Sequence, residues 1–448
     1  MFVGITNTAR DYAWGSPTAI ADLLGREPSG GPEAELWLGA HAGSPARIVN
    51  PEQVGGTETL ADWIAADPQT ALGAALAGAG AGAAEADAAG AVPRLPFLLK
   101  VLAAGSPLSL QAHPSTDRAR IGFAAENAAG LPVTAANRNY RDPFHKPELI
   151  CALSDTFEVL CGFRTLPQIH RIIDELRALD VATDDPQPGA LDLLERHLVG
   201  PDPLRSTVDW LLRDGRGGDT GEVRWLVERV VALADYAVFL AAGGAIISYA
   251  TELATVQTLA RAYPGDPGIV IALLTNRMTL TRGEVLYLPA GNIHAYLSGL
   301  GVELMAASDN VLRGGLTPKH IDIDELLTVL DFTPGPVPLL AAAPTPTPAP
   351  AAPADAGVAV YRPGVDEFEL VHIRVPAPTA GSAVPMRQVT LRGPAIVLCT
   401  AGGFLVAGAE ASARLTRGQS VYVTPDEGTL TFAGAGEAFL ATVGAVAE

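Results

Sequence analysis

Four side chains able to ligate a metal stand in three short segments: Gln111 and His113 in SLQAHPS, Glu148 in FHKPEL and His294 in PAGNIHAYL. Side chains alternate faces along a strand, so Gln111 and His113, two apart, point the same way if this segment is extended. An amide, two imidazoles and a carboxylate suit a divalent cation that keeps a position open for a substrate oxygen. Taken singly, each is most simply a satisfied core or surface residue. Their company gives them weight: HKPE packs a His, a Lys and a carboxylate into one short stretch, and GVELMAASDNVLRGGLTPKH follows His294 with further ionisable groups.

The elements that must position these residues read as strands. LPFLLKVLAAGSPLSLQAHPS is a buried strand, a loop and a second strand ending at Gln111–His113. Residues 1–163 read as short strands and turns, with a helical stretch near Leu60–Leu72 and a small-residue tract, ALAGAGAGAAEADAAGAV, expected as a surface loop. Strand character covers Asn139–Phe163. From 164 to 264 apolar residues recur at helical spacing, which predicts a helical insertion. His170 and His197 fall on its helix surfaces, and AVFLAAGGAIISYA reads as a buried helix–loop–helix corner. Strands resume at Val270–Leu274 and run through MTLTRGEVLYLPAGNIHAYL. Residues 265–332 complete the first, metal-binding unit. Alternating Pro and small residues make 333–357 an extended linker. From 358 to 448 the chain reads as strand and turn, and TRGQSVYVTPDEG echoes TRGEVLYLPAGN, which predicts a second unit on the same plan. That copy has no counterpart of His294, so no metal is expected there, and His372 is expected to be structural.

At 448 residues the chain exceeds one ordinary core, and 48% hydrophobic residues supply enough apolar surface for two or three. A net charge of −19 disfavours nucleic acid and anionic membranes as partners. An anionic substrate would then need local cations, for which Lys100, Lys146, Arg313 and Lys319 are the candidates. Cys151, Cys161 and Cys399 form no metal-type pair and are expected as reduced thiols. With no signal-like N-terminus and no apolar span of about 20 residues, a cytoplasmic location and a monomer are expected.

YAWGS, ELWLGAH, PFLLKVL, LSLQAHP, DPFHKPEL and NIHAYLSGLGVELMAASDNVLRGGLTPKHID occur in that order over the first 330 or so residues. In these segments the chain resembles the type I phosphomannose isomerases, zinc-dependent bicupin enzymes. The resemblance implies a mainly β fold with two cupin-type barrels and a helical domain. It also implies interconversion of mannose 6-phosphate and fructose 6-phosphate by proton transfer between C1 and C2 through an enediol(ate), with one Zn2+ per chain on Gln111, His113, Glu148 and His294. The family's catalytic arginine falls on Arg313. A guanidinium keeps its proton, so its implied role is electrostatic stabilisation. Proton-transfer candidates fall on Lys146, Glu303 and Asp309, with Asp309 expected to position Arg313. The phosphate end falls on Lys319, Lys100 and Ser109. Trp14 and ELWLGAH are expected to pack rather than react.

Two other readings share these residues: an isomerase of an unphosphorylated aldose, and a bicupin that binds sugar or metal without turnover. Lys146, Glu303, Asp309 and Arg313 weigh against the second, and Lys100, Ser109 and Lys319 against the first.

Overall fold

A computed structural model describes residues 1–79, 92–217, 220–343, 357–377 and 384–444. Its described strands are β1 Phe2–Thr6, β2 Glu35–Leu38, β3 Arg47–Ile48, β4 Phe97–Ala104, β5 Leu110–Ala112, β6 Glu148–Ala152, β7 Thr156–Phe163, β8 Thr275–Thr281, β9 Val285–Leu288, β10 His294–Ala306 and β11 Leu312–Gly315. Seven more follow: β12 Val358–Tyr361, β13 Glu369–Val375, β14 Met386–Thr390, β15 Ala395–Ala407, β16 Ser412–Thr416, β17 Ser420–Val423 and β18 Thr429–Thr442. They form two sheets. In the first lobe the order is β11-β5-β10-β4-β2, with β6 and β7 also on β10, β9 on β6 and β8 on β7. In the second it is β12-β13-β18-β15-β17-β1-β3, with β14 on β18 and β16 on β15.

The second order departs from the expected division, which put residues 1–163 in the first unit. β1 pairs with β17, Phe2 opposite Val423 and Ile5 opposite Ser420, and β3 continues from β1. Nothing local in FVGIT identifies a partner so far along the chain, so only the tertiary fold reveals it. The two sheets also share a core. Val3 and Ile5 of β1, Leu36, Val101 and Leu304 of the first lobe, and Phe368, Ile396 and Phe439 of the second belong to one buried cluster. Burying that apolar surface is what holds the lobes together.

The helical block packs on the β10–β11 side, with helices Leu166–Val181, Pro188–His197, Pro203–Gly215, Glu222–Ala242 and Ala250–Ala262. The segment expected as a strand at Val270–Leu274 is instead a helix, Gly268–Leu274, with every residue buried. A short all-apolar run has no amphipathic period, so its pattern cannot separate a buried strand from a buried helix. AVFLAAGGAIISYA does join two helices, but at the surface: Phe239 is 72% and Ile246 is 97% exposed. Its apolar composition alone suggested burial.

The expected stretch Leu60–Leu72 is two helices, Leu60–Ala66 and Pro68–Ala79, the second kinked at Gly73. Most of the small-residue tract, 80–91, and positions 344–356 of the linker lie outside the described residues. Residues 333–343 carry only isolated bridges, at Leu339 and Ala343. No helix among the described residues is long and apolar enough to cross a membrane. The three cysteines are buried and unpaired.

The two TRG turns match in detail. Gly283 and Gly418 have φ of 91° and 86°, where a side chain would be strained. In each turn the threonine donates from both its amide and its hydroxyl to the side chain three residues on: Thr281 to Glu284 Oε2 at 2.7 and 2.9 Å, Thr416 to Gln419 Oε1 at 2.9 and 3.0 Å.

Candidate metal centre and substrate cleft

Register across the first sheet builds the site. On β11, β5 and β10, Arg313 faces Gln111 and Gln111 faces His294. On β2, β4 and β10, Trp37 faces Lys100 and Lys100 faces Glu303. His294 and Glu303 lie on one strand at odd separation, and perfect alternation would put them on opposite faces. The register of β10 on β7 shifts between Tyr296 and Ser298, and this bulge lets both side chains reach the same cleft.

His113, Glu148 and His294 have ligand atoms within 4.8 Å of one another, and all three residues are buried. His113 Nε2 lies 3.3 Å from Glu148 Oε1, His294 Nε2 3.4 Å from Glu148 Oε2, and Gln111 Nε2 3.2 Å from His294 Nε2. The Nδ1 of each ring bonds a main-chain carbonyl, Asn310 O at 2.7 Å and Asn292 O at 3.0 Å. A carbonyl only accepts, so each Nδ1 carries the proton and each Nε2 turns its lone pair on the carboxylate. Lone pairs facing a carboxylate cannot satisfy one another. His113 Nε2 and Glu148 Oε2 are in fact buried without a hydrogen-bond partner. A cation among them resolves the conflict, so this donor set fits a metal.

Charge around the set agrees. Burial, with the Lys146 charge beside it, pushes His113 down to about 4, which keeps it neutral as a ligand must be. Burial opposes the charge on Glu148, but the Lys146 ammonium beside it outweighs that and holds its carboxyl well below the usual range. Lys146 Nζ is 2.9 Å from Glu148 Oε1.

The metal set opens into a cleft of about 560 Å³ that also holds Lys100, Ser109, Lys146, Glu303, Asp309, Arg313 and Lys319, as well as Trp14 and Glu35. Lys100 Nζ lies 3.0 Å from Glu303 Oε2 and 3.8 Å from Glu35 Oε1. Burial disfavours its charge, yet Glu303 and Glu35 more than offset that. Glu303 is the counter-case: burial raises its carboxyl pKa despite the attraction of Lys100. Asp309 does not bond Arg313 as expected. It lies 3.4 Å from His41 Nε2 instead. His41 Nδ1 accepts from Gly43 N at 3.1 Å, and burial lowers its pKa.

Arg313, Lys319 and Arg141 have no acidic partner among the described residues, although all three line the cleft. Burial first, then the neighbouring cations, lowers the pKa of both Arg313 and Lys319. Three unneutralised cations at one end of a pocket suit a multiply charged anion. Arg141, Glu35, Trp37 and His41 were not singled out as site residues from the sequence. Alternation in ELWLGAH puts Glu35 and Trp37 on one face and was the available signal for them. Arg141 had only its place one residue before DPFHKPEL.

Residues 2–166 match the family model described as phosphomannose isomerase type I, catalytic domain. The chain is 39% identical over 334 residues to the mannose-6-phosphate isomerase of Escherichia coli K12, covering 74% of this chain and 75% of that protein. It is 33% identical over 441 residues to the Salmonella typhimurium protein of the same name, covering 96% and 97%. A solved structure of mannose 6-phosphate isomerase with zinc bound superposes with a TM-score of 0.78 at 32% identity, over 99% of this chain and all of that one.

Proposed function

The chain belongs to the type I phosphomannose isomerase family and interconverts mannose 6-phosphate and fructose 6-phosphate, and on that premise we propose how its residues divide the work. The observation that carries the proposal is the two inward Nε2 lone pairs converging on Glu148 in a cleft also lined by three cations, Arg141, Arg313 and Lys319, that have no acidic partner among the described residues.

Gln111, His113, Glu148 and His294 hold one zinc ion per chain. When bound, that ion supplies Lewis-acid polarisation to the sugar oxygens. Arg313, Lys319 and Arg141 take the phosphate end, with Ser109 beside them, and Arg313 also steadies negative charge developing on the sugar. Lys100 stands further in, bonded to Glu303, and serves the reacting end through that contact. An aldose and its ketose differ by one proton between C1 and C2. A buried carboxyl whose pKa is raised toward neutrality is suited to accept that proton at one carbon and return it at the other. Glu303 fits this description, and we assign it the transfer. His41 donates from Nε2 toward Asp309, which leaves Asp309 oriented in the cleft to move the hydroxyl proton when the ring opens. Lys146 fixes Glu148 and offsets its charge at Oε1, the oxygen that His113 also faces. The two sheets are read as the two cupin-type barrels of the bicupin plan, a reading the matched TRG turns support.

A coupled isomerase assay with mannose 6-phosphate and with mannose, before and after chelation, tests the scheme. Activity should require the metal and strongly favour the phosphorylated sugar. Glu303→Gln should retain zinc while losing exchange of the C2 proton with solvent. Retained exchange in that variant would move the transfer to Lys146 or Asp309.

A further inference from the structure

Residues 139–147, which carry the chain into the HKPE segment, have no regular secondary structure, yet they must deliver Lys146 to the site. Most of this stretch is held from within the first lobe. Asn310 accepts from Arg141 N and Asp142 N and donates to Asp142 O and Phe144 O. Ser308 Oγ and Asp309 N bond the Asp142 carboxylate. Arg94 lies 3.4 Å over the Phe144 ring while donating to Ala307 O. Pro147 O accepts from Ala306 N, and Glu148 then enters β6 between β9 and β10.

Between these anchors is a gap. Among the described residues, no main-chain hydrogen bond holds positions 145 and 146. Besides the Lys146 ion pair to Glu148, what holds them is a side-chain contact from the other lobe: His145 Nε2 lies 2.6 Å from Glu367 Oε1, with both side chains mostly buried. Glu367 sits in the β12–β13 connection, next to Phe368, which is fully buried in the core the lobes share. Burial works against the Glu367 charge, but the His145 contact outweighs it and keeps the carboxylate ionised. A rigid part of the second lobe therefore grips the chain one residue before Lys146.

We propose that Glu367 is a positioning residue for the isomerisation: through His145 it fixes the main chain at 145–146 and so places Lys146 beside Glu148. This rests on the reading above that Lys146 belongs to the machinery. It gives the second lobe, which carries none of the proposed metal ligands, a part in the chemistry.

Glu367→Ala should lower kcat about tenfold, the size of effect that a small misplacement in a site produces, with KM for mannose 6-phosphate, zinc content and Tm close to wild type. Glu367→Gln keeps an acceptor oxygen for His145 and should recover most of the rate. His145→Ala breaks the same contact from the other side and should match Glu367→Ala, with no further loss in the double variant. The decisive comparison is in a Lys146→Ala background, where Glu367→Ala should cost nothing more. An undiminished additional loss there, or wild-type kcat in Glu367→Ala itself, overturns the proposal. If Lys146→Ala alone leaves kcat unchanged, the assignment of Lys146 fails, which is a different result from failure of the Glu367 tether.

Discussion

Thirteen residues past the threonine of the TRG turn in the first lobe, His294 begins β10 opposite Gln111. Thirteen past the matching threonine in the second lobe, Thr429 begins β18 opposite Thr390, and their hydroxyls meet at 3.0 Å. Turn geometry and strand order are alike at the two places, and only the side chains differ. The Gln111–His294 pair stands beside His113 Nε2 and Glu148 Oε2, which lack a hydrogen-bond partner, while the two threonine hydroxyls satisfy each other. Shared backbone geometry thus provides places for ligands, and chemistry arises only where the residues set there leave lone pairs unsatisfied. The second lobe contributes instead through its surface toward the first: the common core, the Glu367 grip and an ion cluster. In that cluster Arg282, from the first TRG turn, reaches Glu437 of β18 at 2.7 Å, alongside His372, Arg374 and Thr400.

Making the first lobe resemble the second should have the largest effect. His294→Thr should abolish zinc binding and activity together, a loss of at least about 10³-fold in kcat/KM, checked by metal analysis and the coupled assay. A variant that kept both would mean that the first lobe does not need the group the second lacks. Arg313→Ala should lower kcat by roughly 10²-fold at normal zinc content, as loss of a preorganised donor does. Near-normal turnover would return Arg313 to a structural role.

The ion cluster is a device of the second lobe and should matter for stability instead. Burial opposes the charge on Glu437, but His372, Arg282 and Thr400 hold its carboxyl at about 2, against an ordinary 4.5. A depressed folded-state value stabilises above the unfolded one, so the contribution, roughly 3 kcal/mol, is complete above about pH 4.5 and disappears as the pH falls toward 2. Glu437→Gln should shift the denaturant midpoint at pH 7 and much less at pH 3, with kcat unchanged at both lobes' folded conditions. An equal shift at both pH values would remove this charge from the account.

Smaller effects probe the cleft and the comparison itself. Lys319→Ala and Arg141→Ala should each raise KM for mannose 6-phosphate about tenfold, while turnover of free mannose, however slow, stays unchanged. The reciprocal exchange, Thr390→Gln with Thr429→His, should create no metal site, because a pair alone lacks the carboxylate and second imidazole of the first lobe. Stoichiometric zinc uptake at the second lobe would show that the fold asks for less than these four residues.

Much of this could be read from the sequence because the chemistry sits in compact, unusual segments. QAHP, HKPE and the His294 region each carry their ligand with its neighbours, so the site residues were nameable before their convergence was visible. The helical block and the repeated TRG turn were legible from periodicity and echo. What escaped depends on distance or context. Helix Gly268–Leu274 is apolar on every side, so no period distinguishes it. Glu35, Trp37 and His41 become cleft residues only through the register of β2 on β4. Arg141 gains meaning from standing unpaired beside Arg313 and Lys319, which no local pattern encodes. Glu367, in a stretch without any motif, acquires a role only because it touches His145.

The placement of β1 bears on how the chain is made. Phe2 leaves the ribosome 421 residues before Val423, its partner across the sheet. At synthesis rates of 5–20 residues per second, β1 waits roughly 20–80 s for β17 to exist. Through that interval β1 has only the two-residue β3 to pair with, and the β17 edge that Val3 and Ile5 will close has not been synthesised. The second lobe therefore cannot be sealed vectorially, and its last act is a handshake between the two ends of the described chain. A nascent chain stalled before β17 should leave β1 open to proteases and to holding chaperones, however well the catalytic lobe has already folded.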